Sequence, residues 1–389
     1  MSGLKTVDGP RAPVLGLALL LGLGLLSGCA SKDHVAPPAS LQAIENQFTP
    51  VQAWTADIGK SQRNRLVTLV PEVVGDRVYT VDTAGRLRGF ELTSGRLVFD
   101  HALKESIASG VASDGRMIIV GTTDGRVLAV STEDGEILWE ASLSTVAVTP
   151  AAIGQGRVVV RAGDGRVFVL NATDGRRIWV DGRSVPPLSL QGQSRPVLVG
   201  DAVIVGYDSG LLAVHRLADG QVIWENQIAL GRGRTDVDRM VDIDAMPLFI
   251  DGIVYALAYQ GKLAAIDARN GQVIWSREFS GFNDFTADRH ALYVTDAEGV
   301  VWAIDRRRGD TLWRQEELNN RFLTGPVLYR GTVVVGDFEG YLHFMDVETG
   351  QLIARTRLSG GEVISPLRVT SEGLLAQTRG GRLVMISIP

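Results

Sequence analysis

Short apolar runs recur along the chain from residue 70 to the C-terminus, separated by turns rich in glycine and aspartate. The stretch Gly340–Ala354 shows the unit. It has a glycine, an apolar strand, a second glycine ten residues later and a bulky apolar position four residues after that. The first glycines of the copies are Gly85, Gly125, Gly165, Gly210, Gly261, Gly299, Gly340 and Gly381. A period of about 42 residues built from short strands indicates a repeat architecture.

The unit that contains Gly340 divides into four apolar segments with tight turns between them. These are 326–329, 332–336, 341–346 and 351–358. Four short antiparallel strands in about 40 residues are typical of one β-propeller blade. No segment holds a 3.6-residue period, and the glycines interrupt every window of helical length. The sequence therefore predicts an all-β, eight-bladed propeller.

The eighth copy is incomplete, because only one strand, 382–388, follows Gly381. Near the other end of the chain, residues 51–58 resemble the outermost strands of the other copies. We expect 51–58 to pair beside 382–388. That pairing completes the last blade, closes the ring and removes an exposed sheet edge.

The bulky position four residues after the second glycine is usually tryptophan, and Phe99 and Ala354 replace it in two looser copies. We expect each indole to dock between neighbouring blades, with its N–H bound to a carbonyl. A ring of aromatic side chains for ligand stacking is the alternative interpretation. The predicted docking residues, including one on the closing strand, are Trp54, Trp139, Trp179, Trp224, Trp275 and Trp313.

The N-terminus has the pattern of an export signal. Lys5 and Arg11 precede an apolar run, 14–26, that is too short to span a bilayer comfortably. The run ends in Leu26-Ser-Gly-Cys29, which resembles the lipobox of bacterial lipoproteins. This resemblance implies removal of 1–28, a lipid on Cys29, a flexible tether over 29–47 and a propeller over 48–389. An incidental cysteine is the alternative.

Composition narrows the function classes. The 389-residue chain is 45% hydrophobic, has a formal net charge of −5 at pH 7 and contains one cysteine. A mildly acidic chain with interspersed charges argues against nucleic-acid binding and against a polybasic membrane patch. The five histidines lack ligand spacing, and no nucleophile or phosphate-binding motif is present. We therefore predict no catalytic residue, no metal and no cofactor beyond the lipid on Cys29.

Two connections between blades are longer than the others, 184–195 and 231–247. Both should emerge on one face of adjacent blades, where insertions in repeat proteins often bind partners. The first contains Leu188 and Leu190. The second mixes the acids Asp236, Asp238, Asp242 and Asp244 with the bases Arg232, Arg234 and Arg239. Apolar residues beside charges favour a protein-binding patch. A strand entering the next blade, for Leu190, and a solvated charged loop remain alternatives. A calcium-loop pattern is absent.

The repeats, for example 263–275, resemble those of pyrroloquinoline-quinone propeller enzymes. Together with the lipobox, the single propeller and segments such as 187–192, 238–244 and 336–343, the mature chain most closely resembles the BamB family. The resemblance implies an outer-membrane lipoprotein facing the periplasm. It also implies that the protein binds a POTRA domain of the barrel-forming subunit BamA and assists barrel-protein folding, with unfolded outer-membrane proteins as candidate clients.

The family's contact residues match Leu188, Leu190, Asp242 and Asp244. The next position, commonly arginine in the family, is Gln191 here, and an amide cannot reproduce a guanidinium fork. Arg195 or Arg239 could compensate.

Two other functions remain open from the sequence: a quinone-dependent dehydrogenase and a surface binding or adhesion propeller. As a family, the quinone enzymes need calcium, a catalytic aspartate and commonly a vicinal disulfide. The disulfide cannot form with a single cysteine.

Overall fold

The computed structural model describes residues 2–4, 36–59, 69–147, 149–183, 194–232, 234–235, 239–363 and 366–388. The chain divides into two compact units, Met1–Pro37 and Pro38–Pro389. In the first, only residues 2–4 and 36–37 are described. The second contains eight four-stranded antiparallel sheets, which are the blades of a closed propeller. The predicted fold class is confirmed, whereas the predicted domain bounds remain a prediction.

The first four complete blades follow one another along the chain. Blade 1 has β2 Glu72–Val74, β3 Arg77–Val81, β4 Arg86–Glu91 and β5 Leu97–Ala102. Blade 2 has β6 Ala112–Ser113, β7 Met117–Gly121, β8 Arg126–Ser131 and β9 Ile137–Ser142. Blade 3 has β10 Ala152–Gly154, β11 Arg157–Arg161, β12 Arg166–Asn171 and β13 Arg177–Gly182. Blade 4 has β14 Val197–Val199, β15 Ala202–Gly206, β16 Leu211–Arg216 and β17 Val222–Gln227.

The remaining blades repeat the arrangement until the ring closes. Blade 5 has β18 Leu248–Ile250, β19 Ile253–Leu257, β20 Gly261–Asp267 and β21 Val273–Phe279. Blade 6 has β22 Thr286–Ala287, β23 Ala291–Thr295, β24 Val301–Asp305 and β25 Thr311–Gln315. Blade 7 has β26 Val327–Tyr329, β27 Thr332–Gly336, β28 Tyr341–Asp346 and β29 Leu352–Arg357. Blade 8 has β30 Arg368–Val369, β31 Leu374–Thr378, β32 Arg382–Ser387 and, from the N-terminus, β1 Val51–Asp57.

The closing strand pairs as expected. β1 runs antiparallel to β32, with Val51 opposite Ser387 and Asp57 opposite Arg382. Because β1 is the outermost strand of blade 8, the ring is closed by hydrogen bonds between the two ends of the propeller. The observed strands end one residue earlier than the predicted segments.

The apolar core lies between the blades. Within the described residues, each of the eight seams has its own cluster of buried side chains. Blades 2 and 3, for example, share Ile119, Val127, Trp139, Val158 and Phe168. The second and third strands of each blade are almost fully buried because both of their faces pack against a neighbouring blade. None of the described residues form a helix long and apolar enough to cross a membrane.

The outermost strand of each blade contains a register irregularity just before the tryptophan position. In blade 2, Val130 pairs with Ile137 and Ala129 with Trp139, so Leu138 has no paired residue across the strand. A β-bulge at a sheet edge twists the edge and disturbs the row of open backbone groups. The outer rim is therefore a less regular template for aggregation than eight flat edges would be.

Residues 39–48 run along the outer edge of blade 7, and we call them the strap. The Ala39 N–H donates to the Asn319 carbonyl at 2.9 Å, and the Gln47 N–H donates to the Ile353 carbonyl at 2.9 Å. Asn46 contacts both backbone groups of Arg355, at 3.0 and 2.9 Å. Most of the strap lies within the segment predicted as a flexible tether. The composition of this segment gives no indication of its contacts with blade 7.

Candidate functional site

The six tryptophans at the outer strands make one repeated contact. Each indole N–H donates to a carbonyl of the next blade, over 2.8–3.0 Å. Trp139 thus binds the Ala172 carbonyl across the seam between blades 2 and 3. Each ring also lies against the second glycine of the following repeat. A Cβ on Gly175 would lie 2.5 Å from Trp139 Cε3. In this geometry the six side chains join neighbouring blades.

The described part of the second long connection, residues 239–247, lies on what we call the loop face, where the blade-to-blade connections meet the turns between second and third strands. On this face the Tyr259 N–H donates to the Asp242 carbonyl at 2.7 Å. Leu188, Leu190 and Gln191 lie outside the described residues, as do Asp236 and Asp238. Cys29 and the rest of the predicted lipobox are also outside them. The geometry of the site therefore comes from residues 239–247 and their neighbours.

The 239–247 loop is held by backbone contacts to both adjoining blades. The Ile243 N–H donates to the Tyr207 carbonyl at 3.4 Å, and the Met246 N–H donates to Asp284 Oδ1 at 2.8 Å. Ser194 Oγ donates to the Ala245 carbonyl at 3.2 Å. The Ile243 side chain is fully buried against Gly206, where a Cβ would approach it to 2.5 Å. The neighbouring blades and connections therefore fix the position of the loop backbone.

The two aspartates assigned to partner binding occupy different environments. Asp242 has a relative exposure of 0%, whereas Asp244 is half-buried. A carboxylate with no exposed surface cannot touch a folded partner, so Asp242 has no direct route to one in this arrangement. The sequence did not distinguish the two aspartates. Residues i and i+2 lie on the same face of a regular strand, but this rule does not apply to a loop.

The nearby arginines also differ. Arg239 is exposed, and its guanidinium donates to the Arg234 carbonyl at 3.1 Å. Arg195 instead extends away toward the innermost strands, donating to the Ala151 carbonyl at 3.0 Å and to Glu72 at 3.1 Å. Any role for Arg195 in place of the family arginine would require breaking that ion pair. Compensation by Arg239 stays a prediction.

A buried charged cluster lies beneath the loop, and the sequence analysis did not find it. Arg161, at the end of β11, is 1% exposed and forms an ion pair with Asp208. Burial lowers the pKa of Arg161, while the Asp242 and Asp244 carboxylates act in the opposite direction. Arg161 stands where other blades place Gly121, Gly206 or Gly336 at the end of the second strand. That departure from the repeat was the available signal.

No group of three or more histidine, cysteine, aspartate or glutamate side chains that could hold a metal ion occurs in the described parts of the chain. The described carboxylates of the loop, Asp242 and Asp244, both interact with the Arg161 guanidinium.

The closed ring of eight blades, the tryptophan contacts and the preformed loop define this molecule as a β-propeller built from pyrroloquinoline-quinone-type repeats. The family model for "outer membrane protein assembly factor BamB" matches residues 84–315 and 297–388. The chain belongs to this family.

Curated relatives and a solved structure agree with the family match. The chain is 35% identical to outer membrane protein assembly factor BamB of Escherichia coli K12 over 382 residues, 95% of this chain and 97% of that one. It is 36% identical to the Bordetella pertussis protein of that name, over 95% of this chain and 96% of that one. The crystal structure of BamB from Moraxella catarrhalis superposes with a TM-score of 0.79 at 25% identity, covering 87% of this chain and 100% of that chain. These relatives carry the name of an assembly factor, and none of them that of an enzyme.

Proposed function

We propose that this protein is a non-enzymatic scaffold of the outer-membrane protein assembly complex, which binds a POTRA domain of the barrel-forming subunit BamA through its loop face. The observation that supports this most directly is the 239–247 loop. Its backbone is fixed by blades 4 and 5, while Asp244 and Arg239 remain at the surface. Family membership supports the coarser role in outer-membrane protein assembly.

The partner surface would combine two connections. Asp244 and Arg239 supply charge on the connection from blade 4 to blade 5, and Leu188 and Leu190 supply apolar area on the connection from blade 3 to blade 4. A lipid on Cys29 would hold the protein on the outer membrane, with the propeller in the periplasm. Two or more acyl chains give stable anchoring where a single chain does not.

The test is binding of residues 30–389 to the purified periplasmic domains of BamA. We expect Leu188→Ala/Leu190→Ala and Asp244→Asn to weaken binding at an unchanged melting temperature. Asp76→Asn is a matched control, because Asp76 is an exposed aspartate in a turn on the opposite face. Undiminished binding by both loop variants would place the partner surface elsewhere. No binding by the wild-type chain would refute the proposal.

A dehydrogenase with the same fold would behave differently. Added pyrroloquinoline quinone and calcium would raise the melting temperature of such an enzyme, because a ligand that binds the native state stabilises it. We expect no shift for this protein.

Contact with unfolded barrel clients is a second candidate activity, and the strap favours it. The strap shows that an extended segment can bind the outer edge of a blade, through the Gln47 N–H and the Asn46 side chain. Added extended segments commonly bind sheet edges in this way. Hydrogen exchange of β9, β17 and β21 with and without an unfolded barrel peptide tests it. Unchanged protection of all three strands would exclude edge pairing, with the covered β29 as internal control.

A further inference from the structure

Arg161 is a cation in the interior of the propeller. It lies on blade 3, its side chain is 1% exposed, and its ion-pair partner Asp208, in a turn of blade 4, is 7% exposed. Removing a guanidinium from water costs several kcal/mol unless opposite charges surround it closely. A charge in this position is therefore stabilised only if carboxylates lie close to it.

Two such carboxylates belong to the connection entering blade 5. The Asp242 and Asp244 carboxylates favour the charged form of Arg161 against the effect of burial. Asp242 itself is fully buried. One guanidinium thus interacts with carboxylates from blade 4 and from the 239–247 loop, so the charged cluster joins blades 3 and 4 to the connection between blades 4 and 5.

The buried charged cluster contacts the 239–247 loop from the interior of the propeller. The backbone hydrogen bonds hold the same loop to the neighbouring blades. The Asp242 carbonyl accepts from Tyr259 of blade 5, and the next residue, Ile243, packs on Gly206 of blade 4. With the Asp242 side chain directed inward, the loop is fixed on three sides. Asp244, two residues further along, reaches the surface.

We propose that Arg161 is a positioning residue for the partner surface: together with Asp208 it holds Asp242, and Asp242 acts through Arg161 without touching the partner. Asp244 and Arg239 then make the charged contacts. The assignment of these contacts to a partner rests on the proposed function. The clamp formed by Arg161, Asp208 and Asp242 does not rest on it.

A double-mutant cycle combined with a salt series separates positioning from contact. BamA periplasmic domains are titrated with wild type, Asp242→Asn, Arg161→Lys and the double variant, at several salt concentrations. We expect each single substitution to weaken binding roughly tenfold. The double variant should bind no more weakly than the weaker of the two single variants, because both substitutions disrupt the same interaction. The salt dependence should stay as in wild type.

Asp244→Asn is the contrasting variant, because it removes a charge at the surface. Asp244→Asn should make binding to the BamA domains less dependent on salt concentration. Asp242→Asn should leave the salt dependence of binding as it is in wild type. If Asp242→Asn flattens the salt dependence equally, or if its effect multiplies with that of Arg161→Lys, Asp242 touches the partner and the inference is wrong.

The clamp is tested without a partner by hydrogen exchange. In Arg161→Lys, backbone amides of residues 239–246 should exchange faster, while those of β27 on the far side of the ring stay unchanged. If Arg161→Lys melts too low to study, Asp208→Asn removes one charge of the cluster, retains an amide oxygen and should give the same pattern more weakly. Unchanged exchange over 239–246 would overturn the clamp. Failure of wild type to bind BamA, with the exchange result intact, would refute only the proposed function.

Discussion

The ring of Phe48 stands edge-on to the ring of Phe344, with centroids 5.4 Å apart and planes at 85°. Phe344 pairs with Ala354, the residue at the tryptophan position of blade 7. In blades 2 and 6 the same pair has alanine on the third strand and tryptophan on the fourth. In blade 7, therefore, the third strand carries the large side chain and the fourth strand the small one. Phe48 from the strap packs against Phe344, which is fully buried. The seam lacking its tryptophan is filled by the N-terminal segment.

Phe48→Ala should destabilise the propeller at this seam. Removing a partly buried phenylalanine leaves a cavity and loses an aromatic pair, which we expect to cost about 2–3 kcal/mol. The measurement is the denaturant midpoint. The matched control is Phe322→Ala, because the Phe322 side chain is 56% exposed. Phe322 also makes an edge contact, to Phe338, so the control loses an aromatic pair without opening a buried cavity. Equal midpoints for the two variants would contradict a packing role for Phe48 at the seam.

The strap and the closing strand should contribute separately to stability. A chain beginning at residue 38 should melt like the longer protein. A chain beginning at residue 49 loses the contacts of Ala39, Asn46 and Phe48 and should melt lower. A chain beginning at residue 59 also loses β1 and opens the ring, so it should melt lowest. Identical melting of the last two chains would contradict a role for β1 in closure.

The tryptophan–glycine contact can be isolated with two glycines of the same conformation. Gly156 and Gly175 both have φ of +69°, but a Cβ on Gly156 meets nothing within 4 Å. Gly156→Ala should cost about 1–2 kcal/mol from backbone strain alone. Gly175→Ala should cost about 1–3 kcal/mol more, because its Cβ displaces the Trp139 ring. Both are compared by denaturant midpoint. A Gly175→Ala midpoint no lower than that of Gly156→Ala would mean that the ring moves at no cost.

Stability should fall below about pH 6.5, in part through His343. Burial lowers the pKa of this imidazole from 6.5, against the effect of Asp337 Oδ2, 2.9 Å from its Nε2. Arg355 Nε donates to His343 Nδ1 at 3.1 Å, so Nδ1 must be unprotonated to accept this hydrogen bond. The fold therefore favours the neutral imidazole over the imidazolium. Below the ordinary pKa the unfolded chain takes up a proton that the fold resists, so stability decreases with falling pH.

The measurement for this pH effect is the melting temperature between about pH 7.5 and pH 5.5, a range set by the histidine pKa. His343→Gln should melt lower at the upper pH and lose less stability on acidification. His215 is also buried with a lowered pKa, so the wild-type loss should be reduced and not abolished. An unchanged pH slope in His343→Gln would refute the assignment.

The blade count, the strand order and the closing pair of β1 and β32 were predictable from the sequence. They follow from a local pattern, in which strand alternation and turn glycines repeat with every unit. The position of Trp139 and its equivalents belongs to the same pattern, since each repeat places the side chain at one point of one strand. Local geometry is set by neighbours along the chain, and those are visible in the sequence.

Only the tertiary structure decided which charges are buried and what the N-terminal segment touches. Asp242 and Asp244 look alike in sequence and both act on Arg161, yet Asp242 is fully buried and Asp244 is only half-buried. The strap has the composition of a tether, yet it fits a seam whose tryptophan is missing. Burial and ion pairing depend on residues brought together from distant repeats, and a free energy of desolvation has no local sequence signature.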